Sequence, residues 1–141
     1  MWPPTPPQRS EAPRPSRGAP RSPFRTRRVY DPPGPDDGDR VLVMRLWPRG
    51  IAKSDVDRWL RELAPVITLV RGFRSGAVPW DAYRQAYLAG LERPEAREHV
   101  AEALAMARTR PITLLCGCPD ERRCHRSLLQ VYLEKRAVDS P

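Results

Sequence analysis

Apolar residues along this chain fall into short continuous runs alternating with stretches of helical spacing. Val41-Leu42-Val43-Met44-Arg45-Leu46 is apolar on both faces apart from Arg45, the pattern of a central parallel strand. Ile112-Thr113-Leu114-Leu115 reads as a second buried strand. Arg27-Arg28-Val29-Tyr30 reads as a short third, which the proline- and glycine-rich segment from Asp31 to Gly38 ends. Ser54 is a good N-cap and Val56, Trp59, Leu60 and Leu63 repeat at helical spacing, predicting an amphipathic helix over 55–63 that stops near Pro65. Val66-Ile67-Thr68-Leu69-Val70 reads two ways: its β-branched residues favour a strand, whereas its flanks permit a short helix.

Pro79, followed by Trp80, Tyr83, Tyr87 and Leu91, marks another helix, and Pro94 opens one with a buried stripe of Ala96, Val100, Ala103, Leu104 and Ala107. A last helix runs from about Ser127 to Arg136. Strands separated by helices predict an α/β domain, a small, mostly parallel sheet flanked by helices. Trp59, Trp80, Tyr83 and Tyr87 lie on apolar helix faces and are expected in the core.

Composition changes the picture mainly at the N-terminus. Residues 1–27 alternate proline with arginine, serine and threonine and offer little to bury, so they are expected to form a disordered tail ahead of a single compact domain over 28–137, with 138–141 as a C-terminal tail. The formal charge of +8 is concentrated there: residues 1–28 hold seven arginines against Glu11, leaving 18 basic and 16 acidic side chains, net +2, on residues 29–141. Nonspecific nucleic-acid contact is therefore expected through the tail alone, and weakly. No apolar run approaches signal-peptide or membrane-span length, which predicts a cytoplasmic protein without membrane association.

The chemistry concentrates in one loop. All three cysteines and one of the two histidines lie in Cys116-Gly117-Cys118-Pro119-Asp120-Glu121-Arg122-Arg123-Cys124-His125, between the second strand and the last helix. Open α/β sheets place ligands in such loops. Three sulfurs and an imidazole are a zinc ligand set, but adjacent Cys124 and His125 would have to converge on the ion of Cys116 and Cys118, so the spacing argues against metal and no cofactor is expected. A reactive thiol or anion cradle at the start of the helix is the alternative, since free N–H groups and the helix dipole favour negative charge there. Cys116 and Arg122 also have the cysteine-five-arginine spacing of phosphatase loops, although Pro119, Asp120 and Glu121 suit a phosphate poorly. A purely structural role for the three cysteines and His125 stands beside these readings.

Arg45 and Arg49 flank Trp47 at the end of the first strand. If the two strands are parallel, these residues and the cysteine loop open on the same sheet edge. Arg45 is costly to bury unless paired, with Asp31 or Asp37 as possible structural partners, and Trp47 is placed to stack on a base or shield the site.

Val29-Tyr30-Asp31-Pro32-Pro33, Asp36-Asp37-Gly38, Arg45-Leu46-Trp47-Pro48-Arg49-Gly50 and Trp59-Leu60-Arg61-Glu62-Leu63-Ala64-Pro65 resemble the YeaO-like family, domain of unknown function 488, over roughly residues 28–136. The resemblance implies a compact cytoplasmic α/β domain of undetermined biochemical function and favours helix for 66–74. Some branches of that family carry a Cys and Cys-His-Arg pattern matched here by Cys116 and Cys124-His125-Arg126. Met44 stands where the family usually has Asp, and Gly72 where tryptophan is common.

The expected site is thus a cleft for an anionic small molecule or nucleotide-like group. Cys124 or Cys116 is its candidate nucleophile, His125 its acid or base, and Arg45, Trp47, Arg49 and Arg126 its ligand-binding groups. Whether the protein is an enzyme stays open. The alternatives are a noncatalytic module for nucleic acid or a protein partner, and a metal or redox sensor built on the three cysteines.

Overall fold

The computed structural model describes residues 22–139, so the expectations for residues 1–21 and 140–141 lie outside it. Four strands, β1 (Phe24–Arg28), β2 (Asp39–Leu42), β3 (Arg58–Trp59) and β4 (Ile112–Cys116), form one parallel sheet in the order β1-β4-β2-β3. Four helices, α1 (Ile67–Arg74), α2 (Trp80–Gly90), α3 (Pro94–Thr109) and α4 (His125–Asp139), complete the α/β domain.

β4 occupies the centre because it is apolar on both faces, and its five residues are all buried. Alternate side chains of the strands face different neighbours. Val41, Ile112, Leu114 and Cys116 join Tyr87 of α2 and Leu91 just past its end, Val100 and Ala103 of α3, and Leu129 and Leu133 of α4. Leu42, Leu115 and Val29 form a second cluster, capped by Trp47, Ile51, Val56 and Trp59 from the segment after β2. The principal core therefore gathers helices on one side, and irregular chain covers the other cluster.

The sequence-derived boundaries shift where tertiary pairing overrides local pattern. The sheet takes in Phe24–Arg28, starting ahead of residue 28. Phe24 is only 1% exposed, and the Gln130 side chain of α4 donates to its carbonyl at 2.7 Å. An arginine-rich segment is thereby recruited as an edge strand, paired with β4 from Phe24↔Ile112 to Arg28↔Cys116. At the other end α4 continues to Asp139, through the start of the expected C-terminal tail.

The helix expected over 55–63 is replaced by 3-10 turns at Lys53–Asp55 and Arg61–Leu63 with β3 between them. The free edge of β2 decides this: Asp57 N–H donates to the Arg40 carbonyl at 2.8 Å and Leu60 N–H to that of Leu42 at 2.9 Å. The apolar side chains that look helical in sequence then divide, Val56 and Trp59 packing on the Leu42 cluster and Leu60 and Leu63 on the helical core. Strand β2 is also shorter than its apolar run, ending at Leu42. The ambiguous segment is helix α1.

Gly38 turns the chain into β2 at φ +66°, and a Cβ there would lie 1.9 Å from the Pro111 carbonyl oxygen. Only glycine permits both the backbone angle and this approach. Asp37 beside it binds Arg40 at 2.5 Å and Arg27 at 3.2 Å. Burial opposes its charge, but the Gly34 N–H and the two guanidiniums hold its carboxyl below the usual range.

Candidate functional site

Because β2 and β4 run parallel, their carboxyl ends share one edge of the sheet. Cys116 closes β4, the loop crosses a 3-10 turn at Glu121–Arg123, and Cys124 leads directly into α4. Ser127 donates its hydroxyl to the Glu121 carbonyl at 2.6 Å, holding this loop against the start of the helix. Cys116, Cys118, Cys124 and His125 thereby converge, with one sulfur or ring nitrogen of each lying within 4.8 Å of the others. The spacing argument against a common centre is overturned: the turn between residues 121 and 123 folds the loop back so that neighbouring Cys124 and His125 both face Cys116.

The site is electrostatically specific. Cys116 Sγ lies 2.8 Å from Cys124 Sγ, and Arg126 Nη1 donates to Cys116 Sγ at 3.1 Å and to the Cys118 carbonyl at 2.9 Å. Hydrogen bonds from the Cys118 and Cys124 thiols hold Cys116 well below the ordinary thiol range despite burial. The same bonds keep their donors protonated: Cys118 is pushed up to about 11, and Cys124 is raised further. Burial opposes the charge of Arg126, but the sulfurs around it, Cys116 foremost, raise its pKa overall. A single negative charge on the sulfurs would balance the Arg126 guanidinium.

His125 is 6% exposed, and its Nε2 lies 2.6 Å from the Val43 carbonyl. A carbonyl only accepts, so Nε2 carries the proton and Nδ1, 3.9 Å from Cys124 Sγ, has its lone pair free. Burial lowers the His125 pKa, keeping the ring neutral.

Beside the cluster opens a cavity of about 430 Å³ whose wall includes Cys116, Cys118 and His125. Cys116 has no solvent-exposed surface of its own, whereas Cys118 is half-buried. The residues inferred from sequence distribute unevenly around this space. Cys116 and His125 stand in its wall and Cys124 lies behind them. Arg126, expected as a ligand-binding group, is 3% exposed and turned inward onto the sulfurs.

Arg45 borders the cavity, but its charge is matched by Glu62 at 2.9 Å, and it also donates to the Ala64 carbonyl at 2.8 Å and that of Pro65 at 3.4 Å. Its partner is neither Asp31 nor Asp37. Glu62, hydrogen-bonded by Arg45, is held below the usual carboxylate range.

Trp47 packs on the Leu42 cluster, donates Nε1 to the Ile51 carbonyl at 2.8 Å and meets Trp59 edge-on at 5.4 Å. It is a packing residue outside the cavity wall. Arg49 is exposed and also absent from that wall. The parallel sheet brings the two loops to one edge, but it turns the second loop's aromatic away from the sulfurs.

Sequence reasoning missed Arg74 at the cavity, along with the apolar side of α1, whereas Arg123 belongs to the arginine-rich cysteine loop already singled out. Nothing in the sequence signals Arg74, because its helix is ambiguous there. Tyr83 is core, as expected, and also lines the cavity. The phosphatase-like pairing of Cys116 with Arg122 does not form, since Arg122 is 89% exposed and reaches Asp120 instead. A Cβ at Gly72 would lie 2.7 Å from Val78 Cγ2, so the glycine admits close packing within the helical layer.

Among the described residues no helix is long and apolar enough to cross a membrane. Residues 24–137 match the model of the DUF488-N3a family, described as the active DUF488-N3 subclade. The chain is 38% identical over 110 residues to the Escherichia coli protein YeaO, itself described as uncharacterized, covering 76% of this chain and 93% of that relative. Uncharacterized proteins of Mycobacterium bovis and Mycobacterium tuberculosis are each 34% identical over 91 residues, covering 63% of this chain and 70% of theirs. No solved structure matches. With a family model matching residues 24–137 and a relative matched over nearly its full length, the chain belongs to the YeaO-like DUF488 family.

Proposed function

We propose that the protein is a thiol-dependent enzyme that binds an anionic small molecule in the cavity at the carboxyl edge of the sheet. Cys116 is the nucleophile, Cys124 and Cys118 hold it as a thiolate, and neutral His125 is the base. Arg126 is the counterion that keeps the sulfur charged, a positioning residue, since it lies behind the cavity wall. The observation that carries this reading is the buried Arg126 guanidinium resting on Cys116 Sγ at 3.1 Å, with no carboxylate paired to it among the described residues. A buried cation requires an anion, and only a thiolate is in place to supply one. The description of the matching family as an active subclade supports an enzyme over a passive scaffold.

The pH dependence of alkylation tests this. Iodoacetamide modification located by mass spectrometry is expected to reach Cys116 with an apparent pKa far below the free value of about 8.5. Modification that begins only near that value overturns the assignment.

A metal centre is the second reading, favoured by the convergence of four ligand atoms within 4.8 Å and by the His125 Nε2–H given to a backbone carbonyl, as metal-bound histidines usually do. Three thiolates, a divalent ion and Arg126 would also balance in charge. The sulfur spacing favours the first reading. Two thiolates on one zinc, with bonds of about 2.3 Å in a tetrahedron, stand roughly 3.8 Å apart, whereas Cys116 and Cys124 are 2.8 Å apart. Stoichiometric zinc by elemental analysis of purified protein would reverse that preference.

A further inference from the structure

We infer that the ligand of this cavity is an amphipathic organic anion: a flat or branched apolar body seated on α1 and Tyr83, with a single carboxylate, sulfonate or phosphate group held at the rim by Arg74 and Arg123. The inference rests on the proposed function for which atom reacts, but on separate residues for what binds.

Helix α1 supplies the first argument. Ile67, Val70 and Phe73 recur every three residues along one side of the helix, the spacing of a face that normally packs into a core. Yet no residue of α1 is buried, and these three side chains line the cavity instead. An apolar helix face bordering about 430 Å³ of open volume lies within the size range of small-molecule sites. Phe73 stacks on Tyr83 at 4.5 Å with 28° between the planes, and Tyr83 stacks on Trp80 at 5.5 Å. This aromatic wall is held in place before any ligand arrives, so a flat apolar body docks on it with little loss of side-chain freedom.

Charge supplies the second. Three arginines border the cavity, and Arg45 is committed to Glu62. Arg74 and Arg123 are exposed and pair with no carboxylate among the described residues. The one carboxylate in the wall, Asp120, accepts from the Arg122 backbone N–H at 3.0 Å and pairs with the Arg122 guanidinium. The rim is thus net cationic above an apolar floor. A polyphosphate nucleotide fits this division poorly, because the edges of its base would lose water against side chains that return few hydrogen bonds.

The fluorescent probe 1-anilinonaphthalene-8-sulfonate, an aromatic body with one sulfonate, tests the inference against its uncharged relative N-phenyl-1-naphthylamine, with near-ultraviolet circular dichroism verifying the native fold. Saturable binding of one sulfonate probe per chain is expected, tighter than the uncharged probe and weakened at least about fivefold by the double variant Arg74→Ala/Arg123→Ala. Val70→Asp is expected to weaken both probes by spoiling the floor. Equal affinity for the two probes, or an unchanged sulfonate affinity in the arginine double variant, overturns the proposal. Cys116→Ser separates the two claims. It is expected to keep sulfonate binding while losing low-pH alkylation, and loss of probe binding in a folded Cys116→Ser protein would move the anion site to the sulfur cluster and reject the rim. Conversely, normal probe binding together with an ordinary Cys116 pKa would reject the thiolate reading and leave this one standing.

Discussion

The Arg126 guanidinium and the Cys116 sulfur lie 3.1 Å apart in the interior of the protein, with a sulfur in the place usually held by a carboxylate; on the proposed reading this is a guanidinium–thiolate ion pair. Deleting one member of an ordinary buried pair costs about 3–5 kcal/mol because the survivor stays charged. Here the survivor has an escape, since Cys116 can take up a proton.

Arg126→Met is therefore expected to destabilise the protein by less than that, about 1–3 kcal/mol, while raising the Cys116 pKa. If the pKa returns toward the free value of about 8.5, the thiolate fraction at about pH 7 and with it the alkylation of Cys116 should fall about tenfold or more, since each unit above the working pH is a factor of ten. Arg126→Lys should restore part of the rate. Equal rates in the wild type and both variants would show that the guanidinium does not hold the thiolate.

His125 predicts an acid-side loss of stability. Its folded pKa is depressed by burial, so below the unfolded value of about 6.5 the unfolded chain binds a proton that the folded chain refuses. Stability should be level with respect to this group above pH 6.5 and fall below it, by at most about 1.4 kcal/mol per pH unit, until the folded ring also protonates. Urea denaturation of His125→Asn across this range should lack that component.

The Cys116 and Cys124 sulfurs, 2.8 Å apart, are placed to form a disulfide. Hydrogen peroxide should convert the Cys116 thiolate to a sulfenic acid with release of hydroxide, after which Cys124 displaces water to close the bond. The thiolate is consumed and Arg126 loses its counterion, so iodoacetamide labelling of Cys116 should disappear and return with dithiothreitol. Mass spectrometry of the peroxide-treated protein should find the Cys116–Cys124 linkage, and Cys124→Ser should leave the sulfenic acid unresolved.

Arg45 clasps Glu62 and the Ala64 and Pro65 carbonyls ahead of α1, so it fixes the wall of the cavity from the end of β2. Arg45→Ala leaves these acceptors short of a donor and should cost about 2–3 kcal/mol. Glu62→Gln should cost less at neutral pH. Because the folded pKa of Glu62 is depressed, its contribution is complete above the unfolded value near 4.3 and is lost as pH falls through the folded value. The difference in stability between wild type and Glu62→Gln should therefore shrink in acid, as measured by thermal unfolding at successive pH values.

By itself, the sequence determined much of the strand–helix alternation, the buried strand at residues 112–115, the helices opened by Pro79 and Pro94, and the grouping of the sulfurs at the end of a strand. These are properties of local spacing and of residue types with strong backbone preferences, legible without knowing what packs where. The resemblance to the family correctly chose helix for α1, where propensity alone left two readings.

Tertiary structure decided the rest. It turned an apparent helix at 55–63 into an edge strand, because the open side of β2 needed hydrogen-bond partners, and it drew Phe24 and its arginine neighbours into the sheet. It directed Trp47 onto the Leu42 cluster, gave Arg45 a carboxylate 17 residues away, and turned Arg126 inward. Spacing along a chain states which residues are near in sequence, whereas the charge on Cys116 depends on which donors surround its sulfur in space, and that requires the turn at Glu121–Arg123 to fold Cys124, His125 and Arg126 back over the end of β4.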